Sequence, residues 1–178
     1  KNRLDPISVY FNYMIKDIEM RAKDRHVTIF SNKREERWLS CGLRDKDITR
    51  FRSEFFDDEN VLSVLNDNKI KTKWCLSTSY MSVGVEVKEG KHLIVFDIDE
   101  GIDISHLIQS IGRFRPGYIT EIEVLIYYRV GKLPSKLIND EVVNNFDTIW
   151  DNLVVNTDEG NVANILSTKL IRLSDVDI

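Results

Sequence analysis

A mostly parallel α/β sheet with helices on both faces is the fold this sequence predicts, and three observations predict it. Two apolar runs, His92-Leu93-Ile94-Val95-Phe96 and Ile122 to Tyr128, are almost unbroken, as strands buried on both faces are. Between them Ile104, Leu107, Ile108 and Ile111 recur at helical spacing and form one apolar stripe. Along the whole chain, five strand-like segments alternate with helical ones, the order expected of βα units.

Each element has its own local reason. Asp5-Pro6 is a helix start, with Asp as N-cap and Pro at the first helical position, and Ile7, Phe11, Met14 and Ile18 carry the helix over residues 6 to 23. His26 to Phe30 is short and rich in β-branched and aromatic residues, hence a strand. Ser31-Asn32 can cap a helix starting near Lys33. Thr49-Arg50-Phe51-Arg52-Ser53, with its single large apolar residue flanked by arginines, suits a strand near an edge. Asp57-Asp58-Glu59 sits where a helix dipole favours negative charge, ahead of Val61, Val64 and Leu65 on one face. Lys73 to Ser77 is the next strand. Asp103 is the expected N-cap of the stripe that ends at Ile111.

Composition narrows the function classes. The 178 residues are the size of one ordinary domain, expected as a unit over residues 1–133 followed by an acidic, mainly helical extension over 134–178. In that extension Phe146, Ile149, Trp150 and Leu153 suggest one helix, and Val162, Ile165, Leu166 and Leu173 another. The longest apolar stretches are of strand length, far short of the roughly 20 residues that span a membrane, and no signal-peptide pattern opens the chain. A soluble, cytoplasmic protein without membrane contact is the expectation. Cys41 and Cys75 form no C-x-x-C pair, and His26, His92 and His106 stand far apart, so neither a disulfide framework nor a zinc site is expected. The chain opens at Lys1 on the approach to a helix, which suggests a piece of a longer protein.

The net charge of −4 argues against a protein that coats nucleic acid by bulk electrostatics. Its distribution is uneven. Residues 21–52 carry ten basic residues against five acidic ones, whereas residues 134–178 carry three against eight. The first third therefore permits a phosphate-facing surface, although a solvated face explains a basic run equally well.

In parallel sheets ligands bind beyond the carboxyl ends of the strands, so the polar signatures belong in the loops that follow them. After the first strand comes Ser31-Asn32-Lys33, and after the third Thr78-Ser79-Tyr80-Met81-Ser82-Val83-Gly84-Val85-Glu86. After the fourth comes Asp97-Ile98-Asp99-Glu100-Gly101, and after its helix Gly112-Arg113-Phe114-Arg115. The acids at 97, 99, 100 and 103 lack the spacing of a calcium loop and suit a solvated loop and helix cap. Taken singly, each signature has a structural reading: a helix ending at Gly112 with arginines at the negative end of its dipole, or a serine-rich turn.

Taken in order, the segments resemble the C-terminal RecA-like domain of superfamily 2 helicases of the DEAD/DEAH-like kind, over roughly residues 24 to 130. His26 to Asn32 looks like that family's motif IV, Leu76 to Glu86 like motif V, and Gln109-Ser110-Ile111-Gly112-Arg113-Phe114-Arg115 like motif VI. The resemblance implies that Gln109 lies near the nucleotide and that Arg113 is an arginine finger reaching the γ-phosphate across an interdomain cleft. Charge builds on the phosphoryl oxygens in the transition state, and a guanidinium fork neutralises it with directed hydrogen bonds. Family members carry a further arginine seven residues after the glutamine, where this chain has Pro116, with Arg115 one residue early. Either Arg115 substitutes through a shifted backbone, or it pairs with an acid elsewhere in the fold. Motif V implies Thr78 and Ser79 at the nucleic-acid backbone and Gly84 and Glu86 near the nucleotide, and motif IV adds Ser31 and Asn32 at the backbone.

No G-x-x-x-x-G-K-[ST] loop and no acid-rich Walker B strand occurs in these 178 residues. The resemblance places those parts, with the Mg2+ they hold, on a preceding RecA-like domain. ATP is then a shared cofactor, and nucleic acid, DNA ahead of RNA, the expected partner. The second reading is a non-motor binding or scaffold module that keeps the fold.

Overall fold

Strand and helix follow one another as the hydrophobic periods require. The computed structural model describes residues 6–31, 35–40, 42–43, 48–78, 81, 84–98, 104–115, 119–128 and 165–172. Helix α1 (Pro6–Ala22) leads through a left-handed Lys23 into β1 (His26–Phe30), α2 (Glu35–Ser40) and β2 (Ile48–Phe51). A 3-10 turn at Ser53–Phe55 precedes α3 (Glu59–Asp67) and β3 (Trp74–Ser77). Strand β4 (Gly90–Ile98), α4 (Ile104–Ile111), β5 (Ile119–Tyr128) and β6 (Ile165–Arg172) complete the described chain.

Helix α3 shows how local chemistry sets its bounds. Asp58 is its N-cap, accepting from the amides of Asn60 and Val61 at 2.8 and 3.4 Å. Asn68 ends the helix in the left-handed conformation, a role open to asparagine at low steric cost. Val61 and Val64 are buried as expected, but Leu65 is exposed.

All six strands pair in parallel, in the order β2-β3-β1-β4-β5-β6. Because side chains alternate across a strand, neighbouring residues feed two separate cores. Val27, Ile29, Leu93, Val95, Leu125 and Tyr127 join α1 and α2 on one face. Phe30, Ile94, Phe96, Val124 and Ile126 join α3, α4 and the 81–87 segment on the other. Trp38 of α2 is wholly buried and packs edge-on against Phe11 of α1, with centroids 4.9 Å apart. This is the doubly covered parallel sheet expected.

The extension differs from expectation at one place. Residues 165–172, taken as part of a helix through Val162, Ile165, Leu166 and Leu173, form β6, parallel to β5 from Ile122↔Ile165 to Tyr128↔Arg172. The run Ile-Leu-Ser-Thr-Lys-Leu-Ile-Arg satisfies either period, and the free edge of β5 decides. The helix expected around Phe146 to Leu153 lies outside the described residues, as do Asp5 and Asp103.

Polar groups fasten α1 to β5. The Tyr127 hydroxyl donates to Asp17 Oδ2 at 2.6 Å, and burial, reinforced by that bond, pushes its pKa upward, so it remains a donor. Arg25 donates from Nε to Glu121, from Nη1 to Glu123 at 2.6 Å, and from Nη1 to the Arg21 carbonyl at 2.9 Å. Removing this guanidinium leaves the Glu121 and Glu123 carboxylates in a partly dry site, with Arg21 Nη1, 3.8 Å from Glu123 Oε1, as a more distant partner. With side-chain exposures of 13% for Arg25 and 20% for Glu121, water offsets part of that cost. Arg25→Met is expected to destabilise by about 2 kcal/mol in urea unfolding, below the range for a fully buried pair. Adding Glu121→Gln and Glu123→Gln recovers most of the loss if the cause is electrostatic, and recovers none if it is packing.

Candidate functional site

Parallel pairing brings every carboxyl strand end to one edge of the sheet. Strands β1 and β4 are neighbours, yet β1 leads to α2 on one face and β4 to α4 on the other. Where connections diverge in this way the sheet leaves a crevice. Ser31 and Asp97 meet there, with the serine hydroxyl donating to Asp97 Oδ2 at 3.5 Å. The Ser31 amide donates to the Ser77 carbonyl at 3.0 Å, which sets Ser31 beside Thr78 at the end of β3. Ser31 and Thr78 are half-buried. This edge thus offers hydroxyls and backbone groups, the chemistry that holds a sugar-phosphate backbone without reading bases. Asn32 and Ser79 lie outside the described residues.

Asp97 was not foreseen there. Its expected place was a solvated loop, but it is the eighth residue of β4 and half-buried. Asp99 and Glu100 lie outside the described residues.

The remaining signatures gather at the opposite edge. A crossover between parallel strands must return the chain along the sheet, so residues after α4 arrive near the start of β4. Val87 and Phe114 form an isolated parallel bridge: the Val87 amide donates to the Arg113 carbonyl, and the Arg115 amide to the Val87 carbonyl, both at 2.8 Å. The segment around Glu86 and the end of the 109–115 heptad are therefore side by side, but away from the edge that holds Ser31 and Thr78. Gly84 turns the intervening segment with a φ of +79°, a conformation glycine adopts freely.

The sequence left Arg115 either to replace the arginine missing at position 116 or to pair with an acid elsewhere in the fold. Arg115 Nε donates to Glu86 Oε1 at 3.0 Å, so it pairs with an acid, and that acid is the one the resemblance put near the nucleotide. Lys88 Nζ lies 3.0 Å from the other oxygen. The Lys88 hydrogen bond, and then that of Arg115, hold the Glu86 carboxyl below its usual range, so it stays ionised near neutrality. Arg113 is half-buried at the end of α4, its amide donating to the Ser110 carbonyl at 3.3 Å. Gln109 lies on an exposed part of α4 four residues earlier.

Two further residues were missed. His92 and Phe114 are buried, with ring centroids 5.0 Å apart. In sequence His92 read as the start of an apolar run and as one of three histidines too far apart for zinc, and Phe114 only as part of the 109–115 heptad.

Of the basic stretch over 21–52, Lys33, Arg34, Arg44 and Lys46 lie outside the described residues. Arg21 and Arg25 turn to Asp17, Glu121 and Glu123 at the amino edge, and Arg50 lies over the Phe55 ring. Cys75 is buried and its thiol pushed up to about 12, which removes it as nucleophile or ligand. Among the described residues no cluster of three or more His, Cys, Asp or Glu could hold a metal, and no helix is long and apolar enough to cross a membrane.

No family model and no curated protein matches the sequence. Solved structures do match: Saccharomyces cerevisiae Dbp5 bound to RNA and ADP BeF3, and the same complex of a single-substitution form. Each superposes with a TM-score of 0.53 at 12% identity, covering 94% of this chain and 40% of the other. The chain thus spans less than half the length of the protein it resembles. At that identity the likeness is one of fold: this chain has a RecA-like α/β architecture, shared with the Dbp5 structures.

Proposed function

We propose that the chain is the second motor domain of an ATP-dependent helicase or translocase. In this reading it supplies an arginine finger and part of the nucleic-acid backbone surface. The observation that carries the reading is the Val87–Phe114 bridge, which sets Arg113 next to the Gly84–Glu86 segment at one end of a RecA-like sheet. Ser31 and Thr78 remain at the other end. ATP and nucleic acid then occupy different edges, and a motor needs them separate so that binding one can bias the other.

The residues fit a shared nucleotide. Arg113 provides hydrogen bonds for phosphoryl oxygens, held by a backbone pinned on both sides. Glu86, flanked by Lys88 and Arg115, orders the Arg115 guanidinium and can accept from a hydroxyl. When bound, ATP supplies the phosphoryl group transferred to water. With no P-loop lysine in this chain, hydrolysis requires the preceding RecA-like domain, and the isolated chain is expected to be inert.

Hydroxyl contacts to phosphates do not separate RNA from DNA. RNA is the nucleic acid in the Dbp5 structures, and nothing in the described residues favours DNA. The test is the ATPase rate of the polypeptide carrying both domains, with single- and double-stranded RNA and DNA supplied in parallel. Stimulation by single-stranded nucleic acid is the expected result. A rate indifferent to all four, or a parent without a P-loop, would leave the non-motor binding module as the better reading.

A further inference from the structure

His92 is the least ordinary residue of the sheet. It is wholly buried, its Nε2 donates to the Glu89 carbonyl at 2.7 Å, and Nδ1 has no partner among the described residues. One face stacks on His26 at 5.6 Å, itself held through Nδ1 to the Thr72 carbonyl at 2.8 Å. Gly90, with φ +99°, passes so close that a Cβ there would stand 3.4 Å from both imidazoles. Phe114 rests against the remaining side, tilted 60°.

Phe114 sits between the two arginines of motif VI and is 2% exposed. It is the one side chain of Arg113-Phe114-Arg115 that enters the core, and the bridge to Val87 fixes the backbone on either side of it. Whatever holds its ring therefore sets where Arg113 emerges.

We infer that His92 is a positioning residue for Arg113: its clamped ring is the seat of Phe114, and through the Val87 bridge it fixes the backbone that presents the guanidinium. The inference rests on the functional reading above and deepens it. A guanidinium aimed at charge that develops in the transition state tolerates little displacement, and an error of about 1 Å can cost roughly 10²-fold.

The experiment uses the polypeptide with both motor domains and pairs steady-state kinetics with hydrogen–deuterium exchange. In His92→Leu, kcat of the nucleic-acid-stimulated ATPase should fall roughly tenfold to 10²-fold with KM for ATP unchanged, the signature of a contact made only in the transition state. The Val87 and Arg115 amides should exchange faster, while those of β1 and β5 keep their protection. His92→Phe, which keeps a ring under Phe114, should stay closer to the native rate than His92→Gln, which keeps only the donor to Glu89. Phe114→Leu approaches the same contact from the other ring, and combining it with His92→Leu should cost no more than the worse single change. Native kinetics with unchanged exchange in the His92 variants would overturn the inference, as would faster exchange with a native kcat where Arg113→Ala is inactive. If Arg113→Ala itself left the rate intact, the functional reading would be what failed, and the exchange data would still judge the seat.

Discussion

Alanine at position 113 is expected to lower the nucleic-acid-stimulated ATPase of the two-domain polypeptide by roughly 10³-fold or more, with nucleic-acid affinity unchanged. The size follows from the role proposed for the guanidinium. As the phosphoryl group transfers, negative charge spreads over its oxygens in a site that excludes water, where a prealigned fork of N–H donors is worth far more than in solvent. Affinity for nucleic acid should be spared because Ser31 and Thr78 lie at the carboxyl edge, across the sheet from the Val87–Phe114 bridge. Arg113→Lys should recover little, since an ammonium cannot reproduce the planar fork. Arg115→Ala serves as the contrast. Its guanidinium is engaged with Glu86 on an exposed rim, so its loss should act through Glu86 and be milder than the loss of Arg113. A stimulated rate that survives Arg113→Ala would remove the finger, and a raised KM with native kcat would make Arg113 a ground-state binding residue instead.

Much of the fold was legible because its strongest signals are local. The runs at His92–Phe96 and Ile122–Tyr128 are apolar on both faces because helices cover both faces, and Ile104 to Ile111 is a stripe because α4 buries one side. Asp58 was visible as part of an acidic helix start and is the cap. Strand β6 was not legible, since its residues fit two periods and the choice belongs to the edge of β5. The candidate site divides in the same way. Types and order of residues in the three motifs could be read along the chain, but their distribution over opposite edges depends on the crossovers. Glu86 and Arg115 are 29 positions apart, and the sequence offered for Arg115 only an unnamed acid elsewhere in the fold as one of two possibilities. Asp97 was misplaced for a related reason, because its acidity suggested solvent while its register with β5 keeps it in the sheet.

Acid should destabilise this fold through His92, in a window set by that one ring. Burial lowers its pKa from the usual 6.5 to about 4, with the neighbouring His26 adding to the effect and the bond to the Glu89 carbonyl opposing it. The unfolded chain therefore takes up a proton near pH 6.5 that the folded chain refuses until about pH 4. Unfolding gains a bound proton across that interval, so stability is full above it and declines as pH falls through it. A difference of this size corresponds to about 3 kcal/mol at the acid end. Carboxylates titrate over part of the same range, so the measurement must be differential. Urea unfolding of the chain and of His92→Phe, repeated from neutral pH down to about pH 4, should give curves that converge or cross. The variant can start less stable, because phenylalanine loses the bond to Glu89, yet it has no proton to gain on unfolding. Two curves that stay parallel across the window would mean that the ring reaches solvent readily enough to titrate normally. That would contradict the burial, the stacking on His26 and the close approach of Gly90 together.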